Sequence, residues 1–216
     1  MFYGLIKETK EQLPNEEVLN YYTHLIGAFL AIIAAVMLWV KSFGQGNLAV
    51  ISAIVYGLSL IALLGSSAIY HRERDPLKKK KLRILDHASI FLLIGGTYTP
   101  LTLLVLDQPK GLIYFSLEWG MAIIGIILKL FFTGKFQVLS LALYLIMGWL
   151  IIFDFAEIAN KVTNDGLELI IFGGIAYTLG AVFYAFKRLR FSHSIWHLFV
   201  LAGAFLHYWF VYNFTL

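Results

Sequence analysis

Seven apolar runs fill almost the whole chain, at roughly 21–40, 48–70, 84–106, 112–132, 136–157, 167–186 and 192–214. Each is about 20 residues long, enough to cross the hydrocarbon core of a bilayer as one α-helix. The gaps between runs are short and hold chain breakers: Gly44 and Gly46, Asp75-Pro76, Asp107 to Gly111, Thr133-Gly134, and Asn164 to Gly166. Lipid offers no partner for a bare peptide group, so only helices and closed barrels span it. A barrel needs strands of about 10 residues with alternating polarity, and none is present. The chain therefore reads as a single seven-transmembrane-helix bundle over residues 1–216, with no room for a second soluble domain. The 14% charged residues agree, because a soluble domain carries about 25%. Met1 to Ile6 is too short for the apolar core of a signal peptide, and Lys7 to Glu17 is polar, so cleavage of a leader is not expected.

Charge placement sets the direction of insertion. Of 17 Lys and Arg, one side would hold Lys7, Lys10, Arg72, Arg74, Lys78 to Lys81, Arg83, Lys129, Lys135, Lys187, Arg188 and Arg190. The other would hold only Lys41, Lys110 and Lys161. Positive loops stay inside, so the N-terminus is expected in the cytoplasm and the C-terminus outside. The localisation that follows is a multi-pass protein of the bacterial cytoplasmic membrane. The Arg72–Arg83 loop is expected to fix this topology and to touch anionic lipid headgroups, and nucleic-acid binding is not expected. Small-residue patches at Gly65-Ser66-Ser67, Gly95-Gly96 and Gly173-Gly174 suit close helix contact.

Five of the six histidines fall at the basic boundary. His193 and His197 share a helix face one turn apart, an arrangement that can grip one zinc ion. A purely interfacial pair would look the same. His71 ends the second run at the same depth, so three imidazoles can meet there if spans two and seven are neighbours. Three protein ligands with one position open is the pattern of catalytic zinc. With no cysteine in the chain, a metal must use His, Asp, Glu or water.

Ser67 lies one turn deeper than His71, where it can orient a ligand or simply pack. Asp86 opens the third run at the same level. It is either a base for water at the metal or an interfacial acid balancing Lys81 and Arg83. His87 points about 100° away from Asp86 and reads as a boundary residue. Glu17, Asn20 and His24 share one face at the entrance of the first run and read as supports or a structural lock. His207 lies too deep for the same metal. It is 14 residues from His193, a haem-like spacing, but no other span offers a matching histidine pair. Glu118, Asp154, Glu157 and Glu168 are left without a role.

Glu17-x2-Asn20-x3-His24, Ser67-x3-His71 with Asp86, and His193-x3-His197 together resemble the three signature motifs of the progestin and adipoQ receptor family. Its bacterial branch is the haemolysin III family, which Gly96-Thr97-Tyr98-Thr99-Pro100 also resembles. The resemblance implies a seven-helix bundle with its N-terminus inside. It implies Zn2+ at His71, His193 and His197, with Asp86 and Ser67 beside it. It also implies kinship with alkaline ceramidases, which hydrolyse lipid amides. The long N-terminal cytosolic domain of the animal receptors has no counterpart in this sequence, so signalling through such a domain is not expected. Three functions follow for comparison: a zinc-dependent hydrolase of lipid amides or esters, a membrane-lytic protein, and a non-catalytic sensor of membrane lipid state. In each, a membrane lipid is substrate or ligand.

Overall fold

The structure is a computed structural model describing residues 14–133, 135–186 and 189–216. The leader reading at Met1 to Ile6, the charges of Lys7, Lys10, Lys187 and Arg188, and the breaker Gly134 lie outside the described residues. Among the described residues, seven helices are long and apolar enough to cross a membrane. They are α1 (Pro14–Ser42), α2 (Asn47–Arg72), α3 (Pro76–Val105), α4 (Lys110–Phe132), α5 (Gln137–Lys161), α6 (Asn164–Ala185) and α7 (Ser192–Phe214). Helix α1 packs along α2, α2 along α3, α3 along α4, and α6 along α7, while α1 also runs along α7. Helix α3 is the most enclosed, and large side chains such as Phe29, Phe131 and Phe153 point outward, as they do in lipid.

Two helices begin well before their apolar runs. Helix α1 starts at Pro14 instead of residue 21, with Glu16 and Glu17 in its first turn, where carboxylates suit the helix dipole. Helix α3 starts at Pro76 instead of residue 84. Asp75 caps it, accepting from the Lys78 N–H at 2.8 Å, and Pro76 occupies the first turn. The expected Arg72–Arg83 loop is therefore mostly helix, and only Glu73, Arg74 and Asp75 are non-helical. Hydropathy stops at the first lysine, but a capped helix does not. In that turn the Glu73 carboxylate accepts from the N–H groups of Arg74 and Asp75 at 2.8 and 2.9 Å, which hold its pKa below the ordinary value.

Two helices are irregular within the membrane, and each irregularity is satisfied locally. After Pro100, α3 widens into a π turn over Leu101–Val105. There the Thr102 hydroxyl donates to the Tyr98 carbonyl at 2.9 Å. Helix α5 tightens into a 3-10 turn over Leu150–Asp154. The Tyr98 hydroxyl reaches across, donating to the Gly148 carbonyl at 3.2 Å and accepting from the Ile151 N–H at 3.1 Å. This bridges the break where water cannot. Glycines admit close neighbours. A Cβ on Gly96 would meet Ser59, and one on Gly173 would meet the His207 ring. Gly65, by contrast, faces open space.

Candidate metal centre

The end of α2 and the start of α7 bring three imidazoles together. The His71 ring lies 5.2 Å from that of His193 and 4.8 Å from that of His197, and the latter two are 4.7 Å apart. One ligand nitrogen from each lies within 4.8 Å of the others. Among the described residues, His71 Nε2, His193 Nε2 and His197 Nδ1 are buried without a hydrogen-bond partner. Each such atom costs about 1–3 kcal/mol. Three converging imidazole nitrogens are a donor set that imidazole-binding cations such as Zn2+ satisfy, so the residues present fit the metal.

The two ligand helices meet through α1, which lies between them. A Cβ on Gly27 would lie 2.6 Å from a Leu201 methyl and 3.4 Å from a Leu64 methyl. Below that contact, one face of α1 touches every member of the cluster. Glu17 Oε2 lies 2.8 Å from His71 Nδ1, and its other oxygen lies 3.0 Å from Lys79 Nζ. This fixes which His71 nitrogen remains for a ligand, as a carboxylate does behind a metal-bound histidine. Asn20 Oδ1 accepts from the Ser194 hydroxyl at 2.6 Å. The His24 ring stacks on His197 at 3.6 Å with planes 14° apart. Glu16, which sequence reasoning passed over, accepts from the His193 backbone N–H at 3.2 Å. It thereby caps α7, whose own preceding residue, Phe191, is left-handed and offers no side-chain cap. The signal was available: Glu16, Asn20 and His24 recur every fourth residue.

Ser67 and Asp86 are buried beside the cluster and line a cavity of about 110 Å3. His193 and His197 line the same cavity, which runs on past Ile90, Leu145 and Val200 to Trp149 and His207. Its wall is largely apolar. His87 lies about 16 Å along α3 from Pro76. It is buried, with Nε2 4.0 Å from Asp86 Oδ2. The Tyr144 hydroxyl donates to its carbonyl at 2.9 Å. His207 lies deep, where Nε2 donates to the Ile170 carbonyl at 3.2 Å. Glu118 is fully buried on α4, and among the described residues neither carboxylate oxygen has a hydrogen-bond partner.

The comparisons with known proteins meet this geometry. The sequence model of the family described as haemolysin-III related matches residues 12–208. The chain belongs to the haemolysin III family. It is 42% identical over 194 residues to Hemolysin-3 of Bacillus cereus, covering 89% of each chain. It is 31% identical over 215 residues to the human monocyte to macrophage differentiation factor, covering 92% of this chain and 84% of that protein. It is 28% identical over 230 residues to an adiponectin receptor protein of Drosophila melanogaster, covering 88% of this chain and 48% of that one. These matches place this haemolysin III family member with the progestin and adipoQ receptor relatives. With seven apolar helices, it is a multi-pass protein of the bacterial cell membrane.

Proposed function

We propose that this haemolysin III family protein is a zinc-dependent hydrolase of lipid amides or esters. It acts with its basic face, the end of α2 and the start of α7, in the cytoplasm. The observation that supports the reading most is the convergence of three unpartnered imidazole nitrogens, two of whose rings line a cavity that also holds a buried carboxylate. His71, His193 and His197 would hold the metal, and the opening of His193 and His197 onto a cavity suits a catalytic zinc site rather than a closed structural one. When bound, Zn2+ supplies Lewis acidity to a carbonyl oxygen and makes a neighbouring water more acidic.

The chain's own residues supply the rest. Asp86 is the buried base positioned to take a proton from an attacking water, and Ser67 shares the cavity wall with it. Glu17 holds His71 in one tautomer, and His24 braces the His197 ring by stacking. The apolar wall accepts an acyl chain and limits water to the cluster. A lipid's amide or ester linkage sits at about the depth of this cluster, so the chain need not leave the bilayer.

The test uses purified full-length protein. Metal content is measured by elemental analysis and turnover on a panel of lipid amides and esters. Stoichiometric zinc with metal-dependent release of fatty acid is the expected result. Equal turnover by a verified metal-free His193→Ala protein ends the hydrolase reading. Zinc present with no turnover on any lipid favours the second reading, a lipid sensor stapled by metal. That reading draws on the way the cluster pins the ends of α1, α2 and α7 together. Dye release from liposomes that survives loss of the histidines would point to lysis instead.

A further inference from the structure

Glu118 lies on the inward stripe of α4, with Gly111, Ala122, Gly125 and Lys129. It is wholly buried, and among the described residues neither carboxylate oxygen has a hydrogen-bond partner. It stands about 12 Å from the Lys110 end of α4 and about 21 Å from the Phe132 end, within the hydrocarbon core. The residues outside the description adjoin helix ends on the histidine side: they precede α1, or join α4 to α5 and α6 to α7.

The neighbours explain the missing partner. Trp119 Nε1 donates to the Thr99 hydroxyl at 3.0 Å, and a Cβ on Gly111 would meet the Thr102 carbonyl. The stretch of α3 from Thr99 to Thr102 therefore runs beside Glu118. Both hydroxyls in it are engaged, Thr99 donating to the Gly95 carbonyl at 2.8 Å and Thr102 to the Tyr98 carbonyl at 2.9 Å. Tyr98 is within electrostatic reach of Glu118, but its hydroxyl spans the break in α5. Nor does a base supply the countercharge. In this half, Lys41 donates to the Tyr212 carbonyl, and Lys110 and Lys161 are held by Asp107, Asp154 and Glu157. Among the described residues no charged side chain acts on the Glu118 carboxyl.

An unpaired carboxylate in such a place is strongly disfavoured unless a cation neutralises it. A metal ion needs several oxygen ligands, and the hydroxyls alongside are engaged. A proton needs none. We infer that Glu118 is a proton-binding site within the membrane, held as the neutral acid in the folded protein and open to modification by a hydrophobic carbodiimide. The site is separate from the histidine cluster and requires neither the metal nor the hydrolase reading. In the modification, the acid proton passes to a carbodiimide nitrogen and the carboxyl oxygen bonds the central carbon. The O-acylisourea then rearranges to a stable N-acylurea, with nothing lost.

The experiment treats the purified full chain with dicyclohexylcarbodiimide and locates the adduct by peptide mass spectrometry, with sodium or choline as the salt. Label at Glu118 that is equal in both salts is expected. Glu118→Gln is expected to lose it, and Glu168→Gln, an exposed acid, to keep it. A second measurement follows unfolding in dodecyl sulfate. The unfolded carboxyl ionises above about pH 4.3, so a group neutral only when folded contributes stability below that pH and loses it as pH rises. The folded-to-unfolded ratio of wild type relative to Glu118→Gln is expected to fall about tenfold per pH unit above about pH 5. Tyr98 and Tyr114, with ordinary values of about 10, stay neutral there, and Asp154 and Glu157 on α5 cancel in the comparison. An unlabelled Glu118, protection by sodium, or a ratio that does not change with pH overturns the inference. Wild-type labelling decides it alone if the glutamine variant does not fold.

Discussion

The two ends of the bundle handle polar groups in opposite ways. At the end opposite the histidines, two lysines are paired with a cluster of three acids. Lys110 contacts Asp154 at 2.7 Å and Glu157 at 2.6 Å, and Lys161 contacts Asp107 at 2.6 Å and Glu157 at 3.2 Å. Glu157 also accepts from the Asp107 backbone N–H at 2.8 Å. These side chains are partly solvated, and their pairs stitch the α3–α4 connection to the end of α5. At the histidine end the polar atoms are more deeply buried, and three of the ring nitrogens that face one another have no partner. Self-satisfied charge marks a clamp, and buried donors left open mark a place where something binds.

The contrast fails first, and most visibly, at the ligands. His71→Ala and His193→Ala are each expected to reduce zinc from about one per chain to near zero, read by elemental analysis, because a site with two protein ligands holds zinc poorly. Full zinc occupancy in either variant would remove the metal centre. Next is Glu17→Gln, which leaves the three rings but loosens the tautomer of His71. Metal affinity is expected to fall about 10–100-fold in a chelator competition, and an unchanged affinity would make Glu17 a mere partner of Lys79.

Gly27→Val probes the bracket rather than the ligands. Its Cβ would press on Leu201 at 2.6 Å, and overpacking of this kind costs about 1–3 kcal/mol. A lower unfolding midpoint with faster metal loss is expected. A lower midpoint with metal retention unchanged would mean that α1 does not hold the ligand helices in register.

The smallest effect belongs to the opposite end. Lys110→Ala should lower the unfolding midpoint slightly, less so at high salt because exposed pairs are screened, and leave zinc untouched. Zinc loss there would show that the two ends are coupled after all.

Much of this was legible in the residues. Spans four to seven could be placed within a few residues of α4 to α7, because apolar length is what lipid selects. The starts of α1 and α3 could not, because Glu16, Glu17 and Lys78 to Lys81 belong to helices that outlast the apolar runs. Burial was not legible either, since His87 is enclosed within the bundle next to Asp86. His71, His193 and His197 could be grouped by depth and spacing. That α1 would stand between their helices could not, and so Glu16 went unread.

Hydropathy and periodicity are local properties, so the chain alone determined a helical membrane bundle, the depth of each polar residue and the residue types able to bind a metal. The fold decided which faces meet. Only packing places Glu17 against His71, His24 against His197 and Lys129 in the cavity of Asp86. Helices of equal depth can be ordered around a ring in many ways, and close contact at glycines such as Gly27 and Gly96 admits one of them.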